Sequence, residues 1–158
     1  MGKGLAALQK ALKEIETKQV KVGFFETSHY PDGTPVAYVA AIQEFGHGPI
    51  PPRPFMRPAE AENKSKWAAG IAQGVKQVLA GNGDVVSVLE QVGMVAAGDV
   101  RKAIKTVSTP ALADSTVAGR KSRLSKRSRK KANPQTISKP LVDTGVLLQS
   151  VNSAVVDK

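Results

Sequence analysis

The 158-residue sequence predicts an α+β domain: a small, mostly antiparallel sheet packed with two longer helices. Three observations predict it. Period-two apolar alternation is confined to a stretch near 18–26 and to the C-terminal residues, so strands are few. Two long helix-period stripes lie between them. Apolar residues make up 41% and aromatics only 4%, so the core is built mostly from Val, Leu, Ile and Ala. A single domain over 1–158 is expected, with a proline-rich arm at 46–56 and an exposed basic loop at 108–139.

Leu5, Leu8, Leu12 and Ile15 follow a 3-4-3 spacing, which predicts an amphipathic helix over 3–17. In "KQVKVGFFE", Val20, Val22 and Phe24 alternate with Lys21, Gly23 and Phe25, a half-buried strand. "SHYPDGT" is a turn centred on Pro-Asp-Gly. Thr34 is the expected cap of the helix "VAYVAAIQEF", with Pro35 at its first position and Gly46 at its end. Residues 46–54 hold too many prolines for a helix or a central strand, so an extended, polyproline-like path is expected. The next helix starts near Arg57, with Trp67, Ile71, Val75 and Val78 on one face. "AGNGD" breaks it, and Asp84 caps a helix striped by Val85, Val88, Leu89, Val92, Ala96 and Ile104. Residues 108–139 read as a long exposed loop. "KPLVDTGVLLQSVNSAVV" then supplies Asp143 or Thr144 as a cap, one helical turn and a final strand containing Val151, Ala154 and Val156. So small a sheet has exposed edges, and pairing them with neighbouring subunits is one way to remove that liability.

The composition narrows the function classes. There is no Cys, hence no disulfide and no thiolate metal site. No apolar run approaches the ~20 residues that span a bilayer, and the N-terminal residues lack a signal-peptide core. A soluble protein made in the cytoplasm, with no membrane partner, is expected. The formal charge is +10, but residues 120–131, "RKSRLSKRSRKK", carry eight of the 23 Lys and Arg and no acid. Setting those eight aside leaves +2.

Enzyme signals are sparse. No G-x-x-x-x-G-K-S/T, G-x-S-x-G or H-E-x-x-H occurs. His29 and His47 each sit in a Gly/Pro turn and read as exposed turn residues rather than metal ligands. Nothing in the spacing of Glu14, Glu16, Glu26 and Glu44 argues for a catalytic pair. Asn63-Lys64-Ser65 matches a glycosylation sequon by chance. No catalytic residue, cofactor or metal is expected. The basic run offers phosphate contact through Arg120, Lys121, Arg123, Lys126, Arg127, Arg129, Lys130 and Lys131. The opposing reading is a solvated loop. No aromatic interleaves the run, so base stacking is not expected. The arm also has two readings. Arg53, held between Pro52 and Pro54, and the rigid Ile50–Pro54 stretch suit a subunit contact. The same residues suit an internal crossover that docks Phe55 and Met56 on the domain's own core.

"VAYVAAIQEFGHGPIPPRPFMRPA" resembles the helix, Glu-Phe-Gly turn and I-P-P/A-R-P-F element of phage tail-completion and neck proteins, the HK97 gene-product-10-like group. "KPLVDTGVLLQSV" resembles that group's second signature, K-P-L-I/V-D-T-G-x-L-x-x-S, and "TPALADSTVAGRKSR" is similar to its pre-loop segment. The order and the long spacer also match. The resemblance implies a structural virion protein rather than an enzyme: a small α+β subunit at the head–tail junction or top of the tail, assembling as a ring, often sixfold. It implies folding or inter-subunit roles for Glu44, Phe45, Gly46, Ile50, Pro51, Pro52, Arg53, Pro54 and Phe55. Implied partners are further copies of the chain, neighbouring neck and tail-tube proteins, and genome DNA bound non-specifically. The chain departs from the pattern in its long basic insertion and in reaching Lys158 soon after Asp-Thr-Gly, so a short last strand is expected. The reading from a different class is a nucleic-acid-binding accessory or assembly factor acting through 120–131.

Overall fold

Alternating Val20, Val22 and Phe24 make β1 (Lys18–Phe24), and β2 (Val151–Asp157) returns beside it from the far end of the chain. The computed structural model describes residues 2–124 and 137–158. The strands pair antiparallel over their full lengths, from Lys18 opposite Asp157 to Phe24 opposite Val151. The last strand is therefore not short: it matches every residue of β1. Among the described residues these two strands are the whole sheet. One face of it packs on a long helix; on the other, among the described residues, Lys21 and Asn152 are exposed and Met56 approaches Gly23.

The helices, in chain order, are α1 (Gly2–Thr17), α2 (Val36–Phe45), α3 (Met56–Leu79), α4 (Val85–Thr106), α5 (Asp114–Arg123) and α6 (Val146–Gln149). The α+β class and the two longer helices, 24 and 22 residues, agree with the sequence reading. α4 is the centre of the molecule. It pairs with α3 and carries both strands. Gly93 makes the close approach possible: a Cβ there would lie 2.7 Å from Val20 Cγ2 and 2.9 Å from Ser153 Cβ. Asp84 starts α4 as expected, its carboxylate accepting from Ser87 N at 2.9 Å.

The main core gathers Val36, Ala40, Phe55, Ala97, Val100, Ile104, Leu141, Leu147 and Val151. Phe55 stacks edge-on against Phe24 with centroids 6.0 Å apart. Each fully buried side chain of this size stabilises by about 1.5–3 kcal/mol. A smaller cluster joins Ala11, Val78, Val85 and Leu89. Through it α1 reaches the α3–α4 turn with only one flank of its stripe. Ala11 is buried, while Leu5, Leu8 and Leu12 stay exposed.

Four local expectations are corrected. Thr34 does not cap α2: its N–H is held by the Asp32 carboxylate, and Pro35 itself takes the cap position in an extended conformation. The arm is not extended from its first residue. His47 and Ile50 bond to each other across a tight turn before the proline run begins. The stretch 108–139 is not all loop, because α5 occupies Asp114–Arg123; helix-compatible residues there needed no large apolar face, since no α5 residue is fully buried. α6 is capped neither by Asp143 nor by Thr144; Gly145, with φ 80°, occupies that position.

Candidate functional site

The proline-rich segment is held from inside the subunit. Glu44, near the end of α2, is buried, and its carboxylate faces the start of α3. Oε2 accepts from Phe55 N at 2.7 Å and Met56 N at 2.9 Å; Oε1 accepts from Arg57 N at 3.1 Å and Arg57 Nε at 2.9 Å. The first turn of α3 has no side-chain cap of its own, and this carboxylate from α2 serves instead. Burial pushes the Glu44 carboxyl up, but the Phe55, Met56 and Arg57 donors outweigh it and leave the group below its ordinary value. Arg57 also covers the exposed Phe45 ring, its guanidinium carbon 5.0 Å from the centroid.

Gly46 turns the chain out of α2 at φ 80°. A Cβ there would lie 3.0 Å from Ile50 O and 3.0 Å from Pro52 Cδ, so the turn needs glycine twice over. Arg53 then points inward and is only 4% exposed. It donates from Nε to Pro110 O at 2.7 Å and from Nη2 to Ala111 O at 2.9 Å, while its N–H meets Gln43 O at 2.6 Å. Burial lowers its pKa. Of the nine residues assigned to a subunit contact, Glu44, Arg53 and Phe55 are thus spent on the internal crossover. Ile50 and Gly46 are half-buried, and Phe45, Pro51, Pro52 and Pro54 remain exposed.

A second clamp joins α5 to the Asp-Thr-Gly stretch. Arg120 donates from Nη1 to the carbonyls of Ile137, Lys139 and Val142, and from Nη2 to that of Pro140. Its side chain is only 9% exposed, and Nε lies 3.6 Å from Asp143 Oδ2, an ion-pair distance too long for a hydrogen bond. Arg123 Nη2 reaches the same oxygen at 2.6 Å. Burial and the neighbouring Arg123 and Arg53 lower the Arg120 pKa, with Asp143 opposing them. Arg120, assigned from the sequence to DNA phosphate, is engaged inside the fold, and Arg123 is held by Asp143. Lys121 is exposed. Lys126, Arg127, Arg129, Lys130 and Lys131 lie outside the described residues.

The clamps flank an open cleft of about 300 Å³ lined by Tyr30, Asp32, Gln43, Arg120, Asp143 and Thr144, among others. Burial, then Asp143 and Asp32, push the Tyr30 hydroxyl above its ordinary pKa. His29 and His47 are exposed, each in an isolated bridge. Among the described residues no group of three or more His, Asp or Glu side chains could hold a metal, and no helix is long and apolar enough to cross a membrane. Asn63 lies within α3 and donates to Ala59 O.

Sequence reasoning missed the partners of these clamps. Arg57 and Asp143 stood in quoted motifs, but nothing in spacing linked them to Glu44 or Arg120. The carbonyls of Pro110, Ala111 and 137–142 carry no side-chain signal at all. No family model, curated protein or solved structure matches this chain.

Proposed function

We propose that this chain is a structural virion protein of a tailed phage: a tail-completion, terminator or neck subunit that forms a ring joining tail to head and lining the DNA path. One observation carries the reading. The two sequence stretches that resemble tail-completion proteins are each held by a polar clamp, and α5 joins the two clamps. Arg53, itself bonded to Gln43, holds Pro110 and Ala111; α5 follows; Arg120 holds 137–142, beside Asp143. Motifs spent on such a framework suit a scaffold rather than a catalyst.

The sheet face turned away from α4 supports the reading too. It carries Gln19, Lys21, Gly23, Asn152, Ala154 and Val156, of which Lys21 and Asn152 are exposed, with no acid among them. Genome contact is assigned to Lys121 and to Lys126, Arg127, Arg129, Lys130 and Lys131, through phosphates and without sequence preference. Neighbouring neck and tail-tube proteins are the remaining partners. Cryo-electron microscopy of the virion neck tests this: a ring of this chain at the head–tail junction is expected, and absence of the chain from purified virions refutes the role.

A nucleic-acid-binding accessory is the second reading, favoured by the eight charges in 120–131. It requires the free subunit to bind DNA with log affinity falling by about 0.9 per phosphate contact for each unit of log salt.

A further inference from the structure

Among the described residues the sheet is two strands wide, and each strand has one edge without a neighbouring strand. Beyond the β1–β2 ladder, no backbone–backbone hydrogen bond among the described residues reaches 18–24 or 151–157. β2 is partly satisfied by side chains: Arg101 donates to Val151 O, and the Asn152 side chain accepts from Ser153 N. Gln19 Nε2 also donates to Asp157 O at 3.3 Å, so beyond the ladder no hydrogen bond among the described residues reaches the backbone of 154–156. Such edges are templates for another strand.

We infer that the outer edge of β1 receives the outer edge of β2 from a second copy of this chain, antiparallel, so that the sheet continues from subunit to subunit. The surface rests on the assembling-subunit reading above and names its contact. Both strands are seven residues long, so one kind of contact, repeated head to tail, satisfies both edges. Charge selects the pairing. β1 carries Lys18 and Lys21 and no acid, whereas β2 carries Asp157 and no base. Antiparallel pairing of β1 with β2 of the neighbour brings Asp157 towards Lys18, as already happens within the subunit at 2.7 Å. Pairing β1 with itself would set lysines against lysines, which is unfavourable.

Apolar surface beside β1 fits the same occupant. An open cleft of about 840 Å³ runs along Lys21–Thr27 past Met56, and a second of about 330 Å³, sharing Phe24 and Met56, continues to Ala41 and Phe45. A strand laid on the edge would cover this floor. In the proline arm, Glu44, Arg53 and Phe55 are buried within the subunit, which leaves them no part in this contact.

The chain has no cysteine, so single substitutions give a clean readout. Full-length Lys21→Cys chain is mixed with Ala154→Cys or with Val156→Cys chain and mildly oxidised. Directly opposed residues in neighbouring strands lie about 4.5–5.5 Å apart at Cα, within disulfide reach. A mixed disulfide species of twice the 16.7 kDa chain mass is expected from at least one pair, with Lys21→Cys alone remaining single. Cross-links only between identical variants, or none in either mixture, overturn the proposal whatever the oligomeric state. The chain's presence in the virion neck is read separately, so loss of this contact and loss of the virion role are distinguishable.

Discussion

Replacing Glu44 by Ala removes one carboxylate and strands four donors. Three are backbone N–H groups at the start of α3, beside the buried Phe55. Loss of a helix cap costs about 0.5–2 kcal/mol. Leaving a buried donor unsatisfied costs about 1–3 kcal/mol. The Arg57 ion pair adds little, because that side chain is 59% exposed, and such pairs contribute about 0–1 kcal/mol. A total near ~3 kcal/mol follows, since neighbouring losses overlap. For a chain of this length that lowers Tm by about 10 °C, at ~2–4 °C per kcal/mol. Thermal and urea unfolding followed by circular dichroism measure it. Acid dependence gives a second reading. The folded carboxyl titrates below its ordinary 4.5, so its stabilisation is present above that value and is lost as pH falls through the lower, folded one. Glu44→Ala should therefore flatten the decline of stability below about pH 4.5. A loss under ~0.5 kcal/mol, with an unchanged acid limb, would show that Glu44 does not hold α3.

Two glycines on α4 should respond with opposite sign. Gly93→Ala forces the sheet off the helix and should cost about 1–3 kcal/mol, whereas Gly98→Ala meets nothing within 4 Å and should stabilise by about 0.5–1 kcal/mol; urea midpoints decide both. Arg53→Lys should behave like Arg53→Ala, because a compact ammonium cannot serve the Pro110 and Ala111 carbonyls together; hydrogen exchange across 107–124 should rise in both, and protection restored by Lys would argue against the two-carbonyl clamp. Arg120→Ala should raise proteolysis around 137–143 while leaving the salt slope of any DNA binding unchanged, whereas a slope reduced by about 1 would return Arg120 to the phosphate contacts.

How far the sequence spoke depends on the kind of interaction. Periodicity is set by side chains along one element, so β1, α3, α4 and the Asp84 cap were legible. Register was not. Val151 opposite Phe24 is a fact about two strands at opposite ends of the chain. α1 showed a full leucine stripe, yet the fold uses one flank of it; periodicity reports which face is apolar, not what covers it. The clamps show the limit most clearly. Arg120 stands in a run of like charges and was read as one of them. Its difference from Lys121 lies in four carbonyl oxygens, and every residue type has one of those. In the arm, the internal crossover accounts for Glu44, Arg53 and Phe55, the three least exposed of its proposed contact residues.

β1 ends at Phe24, and its partner begins at Val151. During synthesis the ribosome delivers the first strand long before the second. The α3–α4 hairpin closes over a short turn and can form early, which offers β1 one face to rest on. Until β2 emerges, both edges of β1 stay unpaired, and the newborn chain passes through an interval in which a stray strand could bind there. Slowing translation after α4 should lengthen that interval and lower the soluble yield. Lys18 and Lys21, flanking Val20, act meanwhile as gatekeepers against such captures.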